Sequence, residues 1–337
     1  MTTRTILRLL LLGTQFALCA SQTVPAATFP LKFIADVPLS GSTARLDYQS
    51  LDPVRHVLFI AHLGDGAVIA FDTKARRVAA TIPNIAAVHG VLAVPQLNTV
   101  YVSATGTNEV VAIDESRLKI KWRTGAGVYP DGIAYDPTTN RLFVSDEHGA
   151  TSTVIDAFHG RHIATIPLGG EVGNTQYDPI SHHMFVNAEG AGQLVEIDPR
   201  NAHILGRTAL PGCEGNHGLL IDSIHRRAFV ACEENATLVW LDMRTMRIGG
   251  RWTIGRDPDV LAWDSHNNVV YVSAESGVVS LFADAKSVIR LPQGFLAQAA
   301  HTVSVDPENS LSYWPLQDIG GRPVLRIMKF TAGGNIY

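Results

Sequence analysis

Short apolar runs rich in Val, Ile, Tyr and Phe recur along the chain, separated by clusters of Gly, Asn, Asp and Thr. Residues 100–114, V-Y-V-S-A-T-G-T-N-E-V-V-A-I-D, show the unit most clearly. Two β-branched runs flank a Gly/Thr/Asn turn, which predicts a β-hairpin. Versions of it begin at Leu58, Leu142, Met184, Ala228 and Val270. The Asp that closes the second run falls at Asp72, Asp114, Asp156, Asp198, Asp242 and Asp284, a spacing of 42, 42, 42, 44 and 42 residues. A second series, Asp52, Asp136, Asp178, Asp222, Asp264 and Asp306, keeps the same register one turn earlier. Both series are expected to build turns, with the carboxylate accepting nearby backbone N–H groups.

A strand-only repeat of this length cannot bury both its faces alone and must stack on its neighbours, as the blades of a propeller do. The expected fold class is all-β: a seven-bladed β-propeller of four-stranded blades, one domain over residues 29–330. In blade three the strands, a to d, are expected at 132–136, 141–145, 151–155 and 162–166. The last blade, from His301, supplies only three strands. Residues 31–38, L-K-F-I-A-D-V-P, resemble the outer strand of other blades, such as R-H-I-A-T-I-P at 161–167. The N-terminal strand is therefore expected to complete the last blade and close the ring, which removes exposed sheet edges.

Residues 100–114 resemble the repeat of the YVTN family of β-propellers, with Ser103 and Ala104 where that family carries Thr and Asn. P-D-G-I at 130–133 resembles its P-x-G-[IV] lead-in to strand a. The resemblance covers essentially the whole chain after the leader. It implies an exported, seven-bladed protein of the periplasm or cell surface. It implies little about activity, since propellers host binding modules and enzymes alike.

Composition adds an address. Arg4 and Arg8 precede the apolar stretch at 9–12, and Ala17-Leu18-Cys19-Ala20 ends it with small residues, the three regions of a secretory signal. Residues 1–20 are expected to be removed, or a longer leader if cleavage falls at Ala26-Ala27, and a periplasmic or secreted location follows. Residues 331–337 are expected to form a C-terminal tail. No later segment has the length of apolar sequence that a membrane span needs. With 27 Lys and Arg against 31 Asp and Glu, a net charge of −4 gives no reason to expect nucleic acid. A closed ring is expected to be a monomer. Cys213 and Cys232 are expected to form a disulfide that pins an enlarged loop, in preference to a catalytic thiol or thiolate metal site.

Overlaying the repeats brings out two columns of polar residues. At the head of strand a stand Asp47, His89, Asp131, Gly173, His217, Asp259 and His301. In a propeller this position lies at the top mouth of the central channel. His89, His217 and His301 fall in blades two, five and seven, a near-even division of the ring. They are expected to form an open tripod for one divalent transition metal (zinc, copper, iron or manganese). The column at the end of strand b reads Leu63, Thr105, Glu147, Glu189, Glu233, Glu275 and Gln317. Within a blade, Glu147 is expected beside Asp131, Glu233 beside His217 and Glu275 beside Asp259. Asp47, Glu147, His148, Glu189, Glu275 and Gln317 are expected ligand contacts, and Asp131, Asp259 and Glu233 are the candidates for proton transfer. Polar lining without a metal is the plain alternative. Three functions follow: a binding propeller taking a small molecule, metal ion or protein partner at its top face; a metal-dependent hydrolase or lactonase; and a structural module of the envelope.

Overall fold

The computed structural model describes residues 28–331. The expected leader, and the tail from residue 332, lie outside the described residues. The chain folds into seven antiparallel sheets arranged as blades in a ring. Blade three runs Pro130–Asp136, Arg141–Asp146, Thr151–Asp156 and His162–Pro167, within two residues of the boundaries expected from the repeat. The a strands contact one another around the ring and so wall the channel.

Burial explains the sequence pattern along each blade. A middle strand is sandwiched between two neighbouring blades, so both its faces are apolar: Thr99–Ala104 is buried throughout. The outer strand keeps one face to water and alternates, as in His203–Ala209. The core is a ring of seven apolar clusters, one in each junction between blades.

Closure is by the strand Leu31–Pro38, which pairs with Val324–Phe330 as the outer strand of blade seven. Blade six departs from the pattern. Its outer strand is split into Val288–Arg290 and Gly294–Phe295, with Pro292 in the break, where a proline cannot donate to the ladder. The Asp residues of the earlier series are turn builders, as expected. Asp52 accepts from Val54 N at 2.7 Å, and Asp136, Asp178, Asp222, Asp264 and Asp306 repeat the bond. Cys213 and Cys232 are joined by a disulfide, Cα atoms 5.2 Å apart, tying the loop between blades four and five to strand b of blade five.

The a strands approach one another too closely for side chains on both. A Cβ on Gly218 would collide with the backbone carbonyl oxygen of Asp259 in the next blade and lie 2.7 Å from Leu261 Cδ1. Backbone carbonyls cannot swing aside as flexible side chains do. Gly218→Ala is therefore expected to cost about 3 kcal/mol, the upper range for overpacking, measured by urea unfolding. A cost under about 0.5 kcal/mol would mean that the blades separate freely at this point.

Candidate functional site

The polar column reaches the channel because of a local kink. Two residues before the head of strand a, Ala87, Tyr129, Gly215, Asp257 and Ala299 adopt left-handed backbone, with φ between 45° and 64°. The head and the residue after it then fall in a bulge: pairing skips from Val88 to Val91, from Pro130 to Ile133, from Asn216 to Leu219 and from Pro258 to Leu261. Bulges re-aim side chains, and here they tip His89, Asp131, His217 and Asp259 to the channel mouth. The same kink orients two imidazoles. His89 Nδ1 lies 2.9 Å from the Ala87 carbonyl, and His301 Nδ1 lies 3.2 Å from that of Ala299. A carbonyl can only accept, so Nδ1 carries the proton in each bond and Nε2 faces away from the backbone.

The mouth is a cavity of about 690 Å³. Carboxylates of Asp47, Asp131, Glu147, Glu233, Asp259 and Glu275 line it, with His89, His217, Tyr48 and Tyr129. Arg45 supplies a guanidinium at the rim: Nε donates to Asp47 at 3.0 Å and Nη1 to Glu275 at 2.5 Å.

Tyr48, one residue after the head of blade one, reaches across the channel. Its hydroxyl lies 3.1 Å from His217 Nε2 and 3.3 Å from both Asp131 Oδ2 and Asp259 Oδ1. Burial, then Asp131 and Asp259, push the phenol well above its ordinary value, so it stays a hydroxyl. His217 feels opposed forces. Burial disfavours its charge, but the hydrogen bond to Glu189 and the charges of Asp259 and Asp131 prevail and raise it well above the ordinary imidazole range. As an imidazolium it donates Nδ1–H to Glu189 at 3.3 Å and Nε2–H to Tyr48, which leaves the Tyr48 proton for Asp131 or Asp259. The result is a continuous chain of proton-sharing groups across the channel floor.

Crowded carboxylates resist ionisation together. Burial, then Asp131, push Glu147 up to about 8. Burial likewise raises Asp131, Glu233 and Asp259, against the pull of neighbouring histidines. Glu275 is the exception. Burial opposes its charge, but His301 and Arg45 overcome it and hold the carboxyl at about 2. Glu275 Oε2 lies 3.4 Å from His301 Nδ1.

No family model matches the chain. Among curated proteins, the uncharacterized protein YncE of Salmonella typhimurium is 24% identical over 185 residues, 53% of this chain and 51% of its own length, and the Salmonella typhi protein matches equally. Those matches join the seven-bladed ring already described. The chain is a seven-bladed β-propeller that is similar to YncE over about half its length. The chain spans about half the length of the curated relatives it matches. Solved structures share the ring as a whole: hydrazine synthase of Kuenenia stuttgartiensis superposes with a TM-score of 0.72 at 12% identity over 83% of this chain and 94% of that one. U3-55K gives 0.74 at 11% over 88% and 98%, and the RRP9 WD40 repeats 0.73 at 11% over 89% and 100%. Identities this low speak to the fold alone.

Within the ring, the three histidines do not meet as a tripod. Among the described residues, the sets of three ligand atoms lying within 4.8 Å of one another are Asp47, Asp259 and His301; Glu189, His217 and Glu233; and Asp222, His225 and Asp284. His89 stands apart from all of these, with Nε2 3.2 Å from the Tyr129 hydroxyl. Seven-fold spacing places the imidazoles around the wall, and His217 and His301 each gather with carboxylates of their own. Glu147 and Glu233 sit beside Asp131 and His217 as the repeat implies. Glu275 does not lean on Asp259 but reaches the next blade's His301, and Glu189 likewise reaches His217.

His148 is half-exposed above the cavity, stacked on Tyr129 with ring centroids 4.2 Å apart. Gln317 is not among the residues lining the cavity. Tyr48, Arg45 and Tyr129 were missed because none lies in either polar column. Tyr48 had a signal: it stands where the other blades carry Gly90, Gly132, Asn174, Gly218, Val260 and Thr302, so the largest side chain occupies a position otherwise small or aliphatic.

Proposed function

We propose that this is an exported binding propeller that captures a small, positively charged ligand in its channel mouth. Export rests on the leader at residues 1–20 and agrees with the disulfide, which oxidising compartments preserve. The observation that carries the binding is the imbalance of charge in the cavity. Six carboxylates line it, named above, and its one guanidinium is already engaged with Asp47 and Glu275. Carboxylates held this close favour a cation that shares their charge, and a concave low-dielectric wall concentrates that preference.

The test is calorimetry with three four-carbon probes that differ in charge: putrescine, 1,4-butanediol and succinate. Putrescine is expected to bind, more weakly as salt rises, while butanediol and succinate do not. The double variant Glu147→Gln, Glu233→Gln is expected to lose about tenfold in putrescine affinity, the scale of one exposed-to-buried ion contact each. Succinate binding in preference to putrescine would overturn the reading. The hydrolytic alternative draws on one feature, the Tyr48 hydroxyl held between His217 and two aspartates at the cavity floor, where a proton could be delivered to a leaving group.

A further inference from the structure

The cation-capture reading can be sharpened at Asp47 and Asp259, which line the cavity and with the buried His301 bring one ligand atom each within 4.8 Å of one another. His301 is 2% exposed, and among the described residues its Nε2 has no hydrogen-bond partner. A buried ring nitrogen without a partner forfeits its hydration and gains nothing in return, so it calls for an explanation. The opposite nitrogen supplies one. Nδ1–H is engaged by the Ala299 carbonyl at 3.2 Å, with Glu275 Oε2 at 3.4 Å, which fixes the ring and leaves Nε2 without a partner in the cluster it shares with Asp47 and Asp259. An imidazole anchored through one nitrogen to a carbonyl or carboxylate, with the other free, is the arrangement that prepares histidine to bind a metal. Asp47 is oriented in the same way, since Arg45 Nε holds its Oδ2 at 3.0 Å.

We propose that Asp47, Asp259 and His301 hold one divalent transition ion, with its remaining positions open to the cavity. The inference rests on the cation-capture reading and names its ligand. Two carboxylates balance the charge of the ion. One imidazole nitrogen with two carboxylate oxygens and no thiolate suits zinc, manganese or ferrous iron better than copper(I) or calcium. Bonds of about 2.1 Å put ligand atoms at most about 4.2 Å apart across an ion, so a small contraction of the observed set would complete the contact. The other two clusters fit less well. His217 already shares both its ring protons with Glu189 and Tyr48. At the cluster of Asp222, His225 and Asp284, His225 Nδ1 already lies 2.5 Å from Asp222 Oδ2, which leaves no room for an ion between them.

The experiment uses the untagged full chain, dialysed against chelator and then titrated with Zn2+ by calorimetry and with Mn2+ by electron paramagnetic resonance. One equivalent is expected to bind. His301→Ala and Asp259→Asn are each expected to weaken it at least 100-fold while circular dichroism stays unchanged; Asp259→Asn keeps side-chain volume if the histidine variant fails to fold. Glu189→Gln, at the neighbouring cluster, is expected to change affinity less than threefold. Affinity within threefold of wild type in both ligand variants, or loss in Glu189→Gln alone, overturns the assignment. Putrescine binding without metal binding overturns it too but leaves cation capture standing. Failure of both probes removes both.

Discussion

A chain shortened to begin at Ser40 is expected to yield no soluble, folded protein, whereas one beginning at residue 28 folds normally. The shortened form lacks the strand Leu31–Pro38, whose ladder runs from Leu31 opposite Phe330 to Pro38 opposite Val324. Ile34, Val37 and Leu39 pack with Tyr313, Leu325 and Ile327 of blade seven and with Leu58 and Ile60 of blade one. They are the apolar joint where the ring's two ends meet. Losing them with Leu31 forfeits about 5–10 kcal/mol of burial, the size of a typical domain's whole stability. The Asp36–Arg326 pair, with bonds of 2.8 and 2.7 Å, goes with them. What remains exposes Val324–Phe330 as an unpaired edge, an invitation to aggregate. Soluble yield, size-exclusion chromatography and circular dichroism decide it. A monomer with wild-type melting would show that the ring does not depend on this strand. Rescue by an added peptide of residues 29–39 is the expected complement, because an edge strand can be supplied in trans.

Closure, blade number and turn chemistry were all legible in the sequence because each follows from a period. A 42-residue repeat fixes which residues are equivalent, and Asp followed by a turn means the same thing in every copy. The site was legible only as far as equivalence reaches. The columns include the six carboxylates that line the cavity, with His89 and His217, but they treat seven copies as if they met symmetrically. The chemistry lies where symmetry breaks. Tyr48 fills a position that is Gly90, Gly132 or Gly218 elsewhere, and blade one's strand a begins regular pairing only at Gln49, outside the bulge pattern of its neighbours. The pairing of His301 with Asp47 and Asp259 joins blades seven, one and six, contacts between copies that no overlay of copies can show. The left-handed residue before five of the heads carries no common sequence mark either, since Ala87, Tyr129, Gly215, Asp257 and Ala299 share no side-chain chemistry.

The ligand-free protein is expected to lose stability as pH rises from about 5 to about 9, the reverse of an ordinary acid-labile protein. Glu147, with Asp131, Glu189, Glu171, His148 and His217 around it, titrates at about 8 in the folded protein against an ordinary value near 4.5. The folded state therefore keeps a proton that the unfolded chain has released, and stability falls across that interval. Glu115 acts in the same direction on the opposite face of the disc, raised to about 8 by burial and then by Asp52, despite Arg55 beside it. His217 has the same sign by another route. Its folded value is raised, so its contribution is present below the ordinary imidazole range and lost as pH climbs through the folded value. Glu275, held at about 2, contributes stability above pH 4.5 and loses it only in acid, outside the window. After discounting for water in the cavity, Glu147 should account for about 2 kcal/mol between pH 5 and 9, measured by urea unfolding. Glu147→Gln and Glu115→Gln are each expected to flatten part of the slope; an unchanged slope in the double variant would mean that these carboxyls are not its source. Glu147→Gln has a second consequence. It should be more stable than wild type at pH 9 yet bind putrescine less tightly, because a mouth that must attract cations has to be overcharged while empty, and the repulsion that weakens the free protein is what the ligand relieves.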